Sequence, residues 1–280
     1  MTAALTPISA VFDRLRSQGQ MAFMPFITAG DPDLDFTRDL ILELARRDVD
    51  LVEIGFPYSD PIADGPVIQA SYTRALNKKL HVDQLFDTVS QIPWKTLPGG
   101  QRPPLVAMVA YAIVFRMGPA VFFQKAKTSG FSGLIIPDLP ADEADETARL
   151  AREQGLDLVQ LIAPTTTAER TQRIFETATG FLYCISVAGT TGVRSSLPTE
   201  LSDQLRWLKS QTKLPLAVGF GISRPEHVDT LRGLADGVIV GSGIVKEVGA
   251  ITDSGVTREA ALAKIGDMAG SMVKATRVKA

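Results

Sequence analysis

The segment Val52-Glu-Ile-Gly-Phe-Pro-Tyr-Ser-Asp-Pro-Ile-Ala-Asp-Gly-Pro66 sets a lone carboxylate, Glu53, in an apolar run and follows it with a Pro/Gly/Asp loop carrying Asp60 and Asp64. An ionised carboxylate among apolar neighbours is costly unless it is paired or neutralised, so a strand that keeps one often uses it for acid/base chemistry. A structural glutamate paired with a lysine or arginine fits the same run, and the segment alone leaves both readings open.

Other polar and small residues collect at the ends of apolar runs: Thr28-Ala-Gly-Asp31, Pro137-Asp-Leu-Pro140, Gly189-Thr-Thr-Gly192, Gly219-Phe-Gly-Ile-Ser223 and Gly241-Ser-Gly243. The last two suit a phosphate: small residues let backbone N–H groups close around its oxygens, and helix N-termini add positive partial charge. Each taken alone also fits a tight strand exit that needs unusual backbone angles. No Gly-x-Gly-x-x-Gly opens the first unit and no Walker pattern occurs, so dinucleotide and triphosphate binding lack support. Two histidines and one cysteine cannot build the usual histidine- or cysteine-rich metal site, so no metal is expected.

These residues need a frame. Apolar, β-rich runs fall at 21–28, 50–55, 104–111, 133–137, 157–163, 181–186, 215–219 and 237–241, and amphipathic stretches at 33–47, 67–78, 119–129, 141–154, 168–179, 199–211, 225–234 and 258–276 separate or follow them. The runs are near-continuously hydrophobic, as in parallel strands covered by helices. Eight such units predict an α/β fold, a (β/α)8 TIM barrel, with a doubly wound sheet as the weaker alternative. An extra N-terminal helix over 5–18 and an inserted helix over 81–91 before strand three fit around it, and residues 1–280 read as one domain. Alternation along strand two puts Leu51, Glu53 and Gly55 on one face and Val52 and Ile54 on the other. Glu53 then points into the barrel. The same parity on strand six groups Phe181, Tyr183 and Ile185, so Tyr183 reaches toward the mouth unless it is an ordinary core aromatic. Phe26, Val109, Ile135, Ile162 and Phe220 lie near strand exits as core residues that could together wall an aromatic substrate.

Composition excludes several classes. With 45% hydrophobic and 21% charged residues and a net charge of −2, the chain has no electrostatic case for nucleic acid or an anionic membrane. No stretch approaches the roughly 20 apolar residues of a membrane span, and the first residues lack a secretory pattern, so a cytoplasmic location is expected.

The chain resembles the tryptophan synthase alpha subunit family. The likeness is carried by Phe26-Ile-Thr-Ala-Gly-Asp-Pro32, the Glu53 to Pro66 segment, Pro137-Asp-Leu-Pro140, Gly189-Thr-Thr-Gly-Val-Arg194, Gly219-Phe-Gly-Ile-Ser223 and Gly241-Ser-Gly-Ile-Val245. The resemblance implies retro-aldol cleavage of indole-3-glycerol phosphate to indole and glyceraldehyde 3-phosphate, a lyase reaction with no cofactor in this chain. It implies a beta subunit that carries pyridoxal phosphate and takes up the indole in an alpha2beta2 complex, as the last step of tryptophan biosynthesis. It assigns Glu53 as acid/base, Asp64 as partner of the indole nitrogen and Tyr183 as a substrate contact, with Gly192, Phe220, Gly221, Gly241, Ser242 and Gly243 at the phosphate site. Thr191 falls in the loop expected to close over Asp64, and loops 56–66 and 187–196 are expected to be mobile. Three positions depart from the family pattern: Ile113 where asparagine is frequent beside the beta subunit, Ala188 for serine and Phe181 for tyrosine. A free-standing indole-releasing lyase, another phosphate-binding barrel enzyme and a non-catalytic regulatory subunit are the competing readings.

Overall fold

Short apolar runs bounded by glycine and proline form eight strands in the computed structural model, which describes residues 5–61, 64–98, 102–185, 199–219, 222 and 224–278. They are β1 (Ala22–Thr28), β2 (Val52–Gly55), β3 (Leu105–Met108), β4 (Phe131–Ile135), β5 (Asp157–Ile162), β6 (Leu182–Ile185), β7 (Leu216–Gly219) and β8 (Gly237–Val240). All pair in parallel in chain order, and β8 closes on β1 with Ala22 opposite Gly237. The expected (β/α)8 barrel is the fold.

The helices are α1 (Pro7–Ser17), α2 (Leu34–Arg46), α3 (Pro66–Leu76), α4 (Val82–Ser90), α5 (Tyr111–Met117), α6 (Pro119–Ser129), α7 (Asp145–Glu153), α8 (Ala168–Thr177), α9 (Thr199–Gln211), α10 (Pro225–Asp229), α11 (Ser242–Asp253) and α12 (Arg258–Arg277). Their starts follow local chemistry. Thr6, Asp33, Thr167 and Thr257 accept the amide three residues on, and Pro7, Pro66, Pro119 and Pro225 preset the first turn. The expected extra helices are α1 and α4.

Strand parity divides the apolar residues into two cores. Val52, Ile54, Leu182, Cys184, Val218 and Val238 pack outward on the helices, while Leu51, Val106, Ile135, Val159, Phe181, Tyr183, Ala217 and Ile239 fill the interior. Helix α1 closes the N-terminal end of the barrel, where Ile8, Phe12 and Leu15 join the interior cluster and the Phe12 ring lies 5.5 Å from Phe181. That plug leaves the C-terminal end as the open mouth.

Four elements differ from the sequence reading. The run expected at 133–137 forms the strand Phe131–Ile135, because Pro137 cannot donate to a ladder. The run expected at 104–111 stops at Met108, and Tyr111 opens α5 instead. Its amide is taken by Asp138 Oδ1 at 2.8 Å, which turns the chain off the sheet. Helix α10 ends at Asp229 rather than near 234, in turns that bring Gly233 to φ +74°. Helix α11 was not anticipated, since glycine and β-branched residues dominate its sequence. Burial of Ile244, Val245 and Val248 outweighs that poor propensity, and Gly249 leaves room for the Arg74 guanidinium, which a Cβ would approach to 2.9 Å.

Asp50, 4% exposed, ties both ends of the chain to the barrel floor. It accepts from the Phe23 amide at 2.9 Å, from Arg277 at 2.9 and 3.0 Å and from Arg14 at 3.2 Å. Removing the carboxylate strands these donors. Asp50→Ala is expected to lower stability by about 3 kcal/mol, read as an earlier denaturant midpoint at unchanged slope.

Candidate active site

Glu53 lies on the interior face of β2, level with Phe26 on β1 and Val106 on β3, and is 3% exposed. Among the described residues its Oε1 has no hydrogen-bond partner. Burial pushes the carboxyl up to about 8, with the negative charge of Asp64 as the second cause. A group in that state is neutral at pH 7 and can both give and take a proton close to neutrality.

Asp64 follows β2 in the loop and is half-buried. Burial raises its pKa, and the Tyr58 hydroxyl, within hydrogen-bonding reach as donor, pulls it back down. Tyr183 points inward from β6, 7% exposed; burial and then the charges of Glu53 and Asp64 push its phenol well above the ordinary value, so it stays protonated. Glu53, Asp64 and Tyr183 therefore share one electrostatic neighbourhood; strand parity anticipated the inward direction of Glu53 and Tyr183, while Asp64 comes from the loop after β2.

Two glycines make the close packing of this mouth possible. A Cβ on Gly55, at the exit of β2, would stand 2.5 Å from the Phe26 ring and 2.9 Å from the Tyr72 hydroxyl. A Cβ on Gly219, at the exit of β7, would collide with the Tyr183 hydroxyl. Phe26 also joins Ile68, Tyr72 and Val245 in an apolar cluster that binds α3 to α11 above the barrel. Behind it, Arg74 of α3 donates to both oxygens of buried Asp31 at 2.9 and 2.8 Å and reaches Asp253 of α11 at 3.6 Å.

Gly241, Ser242 and Gly243 form the N-terminal turn of α11, directly above β8, and a Cβ on Gly241 would lie 3.5 Å from Phe26. Ser242 is exposed and the flanking glycines are half-exposed. A helix N-terminus offers unpaired N–H groups and positive partial charge. Thr191, Gly192, Phe220 and Gly221, and with them the whole loop 187–196 and Ala188, lie outside the described residues. The sequence reading missed Gln69, whose side-chain amide holds the loop by donating to the carbonyls of Asp64 at 2.7 Å and Pro61 at 3.2 Å; a glutamine one turn into the helix after an acidic Pro/Gly loop was the available signal. Among the described residues no group of three or more His, Cys, Asp or Glu side chains is placed to hold a metal, and no helix is long and apolar enough to cross a membrane.

A model of the tryptophan synthase alpha chain family matches residues 12–277. The chain belongs to that family. It is similar to the tryptophan synthase alpha chain of Rhodopirellula baltica, 46% identical over 244 residues that cover 87% of each chain, and to that of Caldanaerobacter subterraneus, 44% identical over 85% of this chain and 88% of the other. Among solved structures, the tryptophan synthase alpha chain of Legionella pneumophila superposes with a TM-score of 0.85 at 34% identity, covering 98% of both chains. As a tryptophan synthase alpha chain the protein is a lyase of tryptophan biosynthesis, acting on indole-3-glycerol phosphate.

The close fit at Gly219 is open to test. Gly219→Ala is expected to displace the Tyr183 ring, with a stability loss of about 1–3 kcal/mol. A crystal structure of the variant, with the Tyr183 side chain moved from the mouth, checks this.

Proposed function

We propose that Glu53 and Asp64 carry the cleavage of indole-3-glycerol phosphate to indole and glyceraldehyde 3-phosphate. The observation that supports this most strongly is the buried Glu53 carboxyl, whose Oε1 has no hydrogen-bond partner among the described residues and whose pKa is pushed up to about 8. Glu53 gives its proton to C3 of the indole ring, which leaves positive charge on the ring nitrogen. Asp64, ionised, accepts the indole N–H, and that bond strengthens as the charge develops. The glycerol hydroxyl on the carbon attached to C3 then returns a proton to Glu53; its oxygen becomes the aldehyde, and the electrons of the breaking carbon–carbon bond restore the indole. Glu53 ends as it began, and no external oxidant or reductant is needed.

Tyr183 bounds the reacting end of the substrate, and Phe26 walls the ring. The phosphate is bound at the N-terminal turn of α11 by Gly241, Ser242 and Gly243, with Gly192, Phe220 and Gly221 completing the cradle and Thr191 belonging to the loop over Asp64. The whole chain works as one domain in the cytoplasm. Pyridoxal phosphate belongs to a separate beta subunit, which takes the indole directly in an alpha2beta2 complex; indole is apolar enough to leak through membranes, a physical reason for direct transfer. Phe115 on α5 is 71% exposed, with its ring 6.3 Å from Tyr111, while half-buried Ile113 packs against the main core. An apolar side chain so open to water fits a face that a partner covers.

Indole release from indole-3-glycerol phosphate tests the assignment. Glu53→Gln is expected to lower kcat by about 10²–10⁴-fold, and Asp64→Asn to lower it by a comparable factor; wild-type rates in both variants would overturn it. The wild-type rate is expected to fall as pH rises through about 8, where Glu53 loses the proton it must donate. The same shift has a stability consequence. The folded-state pKa lies above the ordinary 4.5, so the stability contributed by neutral Glu53 is fully present below about 4.5 and is lost as pH rises through about 8. Glu53→Gln, which cannot ionise, is expected to be the more stable protein at pH 9 in denaturant unfolding. For the partner face, Phe115→Asp is expected to weaken beta-subunit binding by about tenfold or more in calorimetry while leaving unstimulated indole release intact.

A further inference from the structure

Helices α3 and α11 carry the two ends of the proposed site. Asp64 stands two residues before Pro66, the first residue of α3, and the Gln69 side-chain amide donates to the Asp64 carbonyl at 2.7 Å, so the loop follows that helix. Gly241, Ser242 and Gly243 open α11. The two helices meet at two levels. Ile68 and Tyr72 share an apolar cluster with Val245, and further along both helices Arg74 meets Gly249 and Asp253. The order of contacts is the same on each, so the helices lie side by side in one direction, with Asp64 and the α11 turn toward the same end.

The two levels differ in kind. Apolar contact is non-directional and tolerates sliding. The Arg74 guanidinium is directional: its Nε and Nη2 donate to the two oxygens of Asp31 at 2.9 and 2.8 Å, a planar fork that fits one orientation. Asp31 is 2% exposed and lies three residues beyond β1, so the fork is anchored to the barrel itself. The remaining nitrogen, Nη1, faces Asp253 at 3.6 Å, and Gly249 carries no side chain where a Cβ would stand 2.9 Å from the guanidinium. We propose that Arg74 is a specificity-determining positioning residue: its fork fixes the register of α3 against α11, and with it the span between Asp64 and the phosphate turn. This rests on the reading of Asp64 as partner of the indole nitrogen and of the α11 turn as the phosphate site. A substrate whose ring and phosphate are joined gains from both ends only when that span matches its length, whereas the two pieces added separately bind at any span. The clamp therefore selects for the joined molecule and for one length of linker.

Arg74→Lys keeps a positive charge beside Asp31 and loses the fork. Its kcat/KM for indole-3-glycerol phosphate is expected to fall by about tenfold or more, since a misplacement on the order of 1 Å costs up to about 10²-fold. Indole and glycerol 3-phosphate, each titrated alone by ligand-observed NMR, are expected to keep their dissociation constants within about twofold. Gly249→Ala disturbs the clamp from the other side. It puts a better helix former into α11, which favours folding, yet presses on the guanidinium, so the same split between joined and separate ligands is expected. That variant decides the matter if Arg74→Lys does not fold. An unchanged kcat/KM in the folded variants, or either piece weakened in proportion to the substrate, would overturn the positioning role and leave Arg74 as a stabilising ion pair. Failure of glycerol 3-phosphate to bind the wild type, or a wild-type rate in Asp64→Asn, would instead remove the site reading on which the proposal rests, and both are seen without any change at Arg74.

Discussion

The structure depends on one costly arrangement: a carboxyl group inside a closed apolar barrel, with a second carboxylate close enough to raise its pKa further. Water would solvate Glu53 at the mouth of an open sheet. Eight strands paired in a ring, with α1 plugging the lower end, keep it dry from below and from the sides. Two effects of the same sign, burial and the charge of Asp64, then hold its proton near neutrality. Neither effect needs a base or a metal in contact with the group. The buried layers on both faces of the sheet and ion-pair clamps such as that at Asp50 supply the stability that tolerates this site.

Burial acts on both carboxylates, and hydrogen bonding distinguishes them. Among the described residues Glu53 has no donor on its Oε1, and burial raises its pKa to about 8; burial raises that of Asp64 as well, with the Tyr58 hydroxyl opposing the rise. The two roles proposed for them, acid and electrostatic acceptor, need only one functional group in two settings of burial and hydrogen bonding. The parts around them are shared with the N-terminal turn of α11: a Cβ on Gly55 or on Gly241 would meet Phe26, and Arg74 fastens α3 to the loop after β1 and to α11. A displacement of α11 would therefore reach the Asp64 side of the mouth through contiguous packing.

Much of this was legible in the chain. Strand parity placed Glu53 and Tyr183 in the interior because the side-chain period of a strand is fixed by geometry and needs no tertiary information. Caps and prolines marked most helix starts for the same local reason. What the sequence concealed was set by distant contacts. Asp138 captures the Tyr111 amide and ends β3 early, an event decided 27 residues away. Helix α11 forms from residues of weak helix propensity because the barrel buries Ile244, Val245 and Val248 and because Gly249 admits Arg74. Tyr58 packs on the ring of Tyr72, 14 residues on in α3, a contact that its own loop does not signal. Residues packed by remote partners carry little signal in their own neighbourhood, whereas the lone acid in an apolar strand is conspicuous by local composition.

The central claim is that the barrel holds the Glu53 carboxyl protonated at neutral pH. Its most direct test is a titration of that carboxyl by carbon-13 NMR in protein labelled at glutamate, with Glu53→Gln assigning the resonance. The account predicts a midpoint near about 8 in the unliganded chain, whereas a midpoint near the ordinary 4.5 would contradict it.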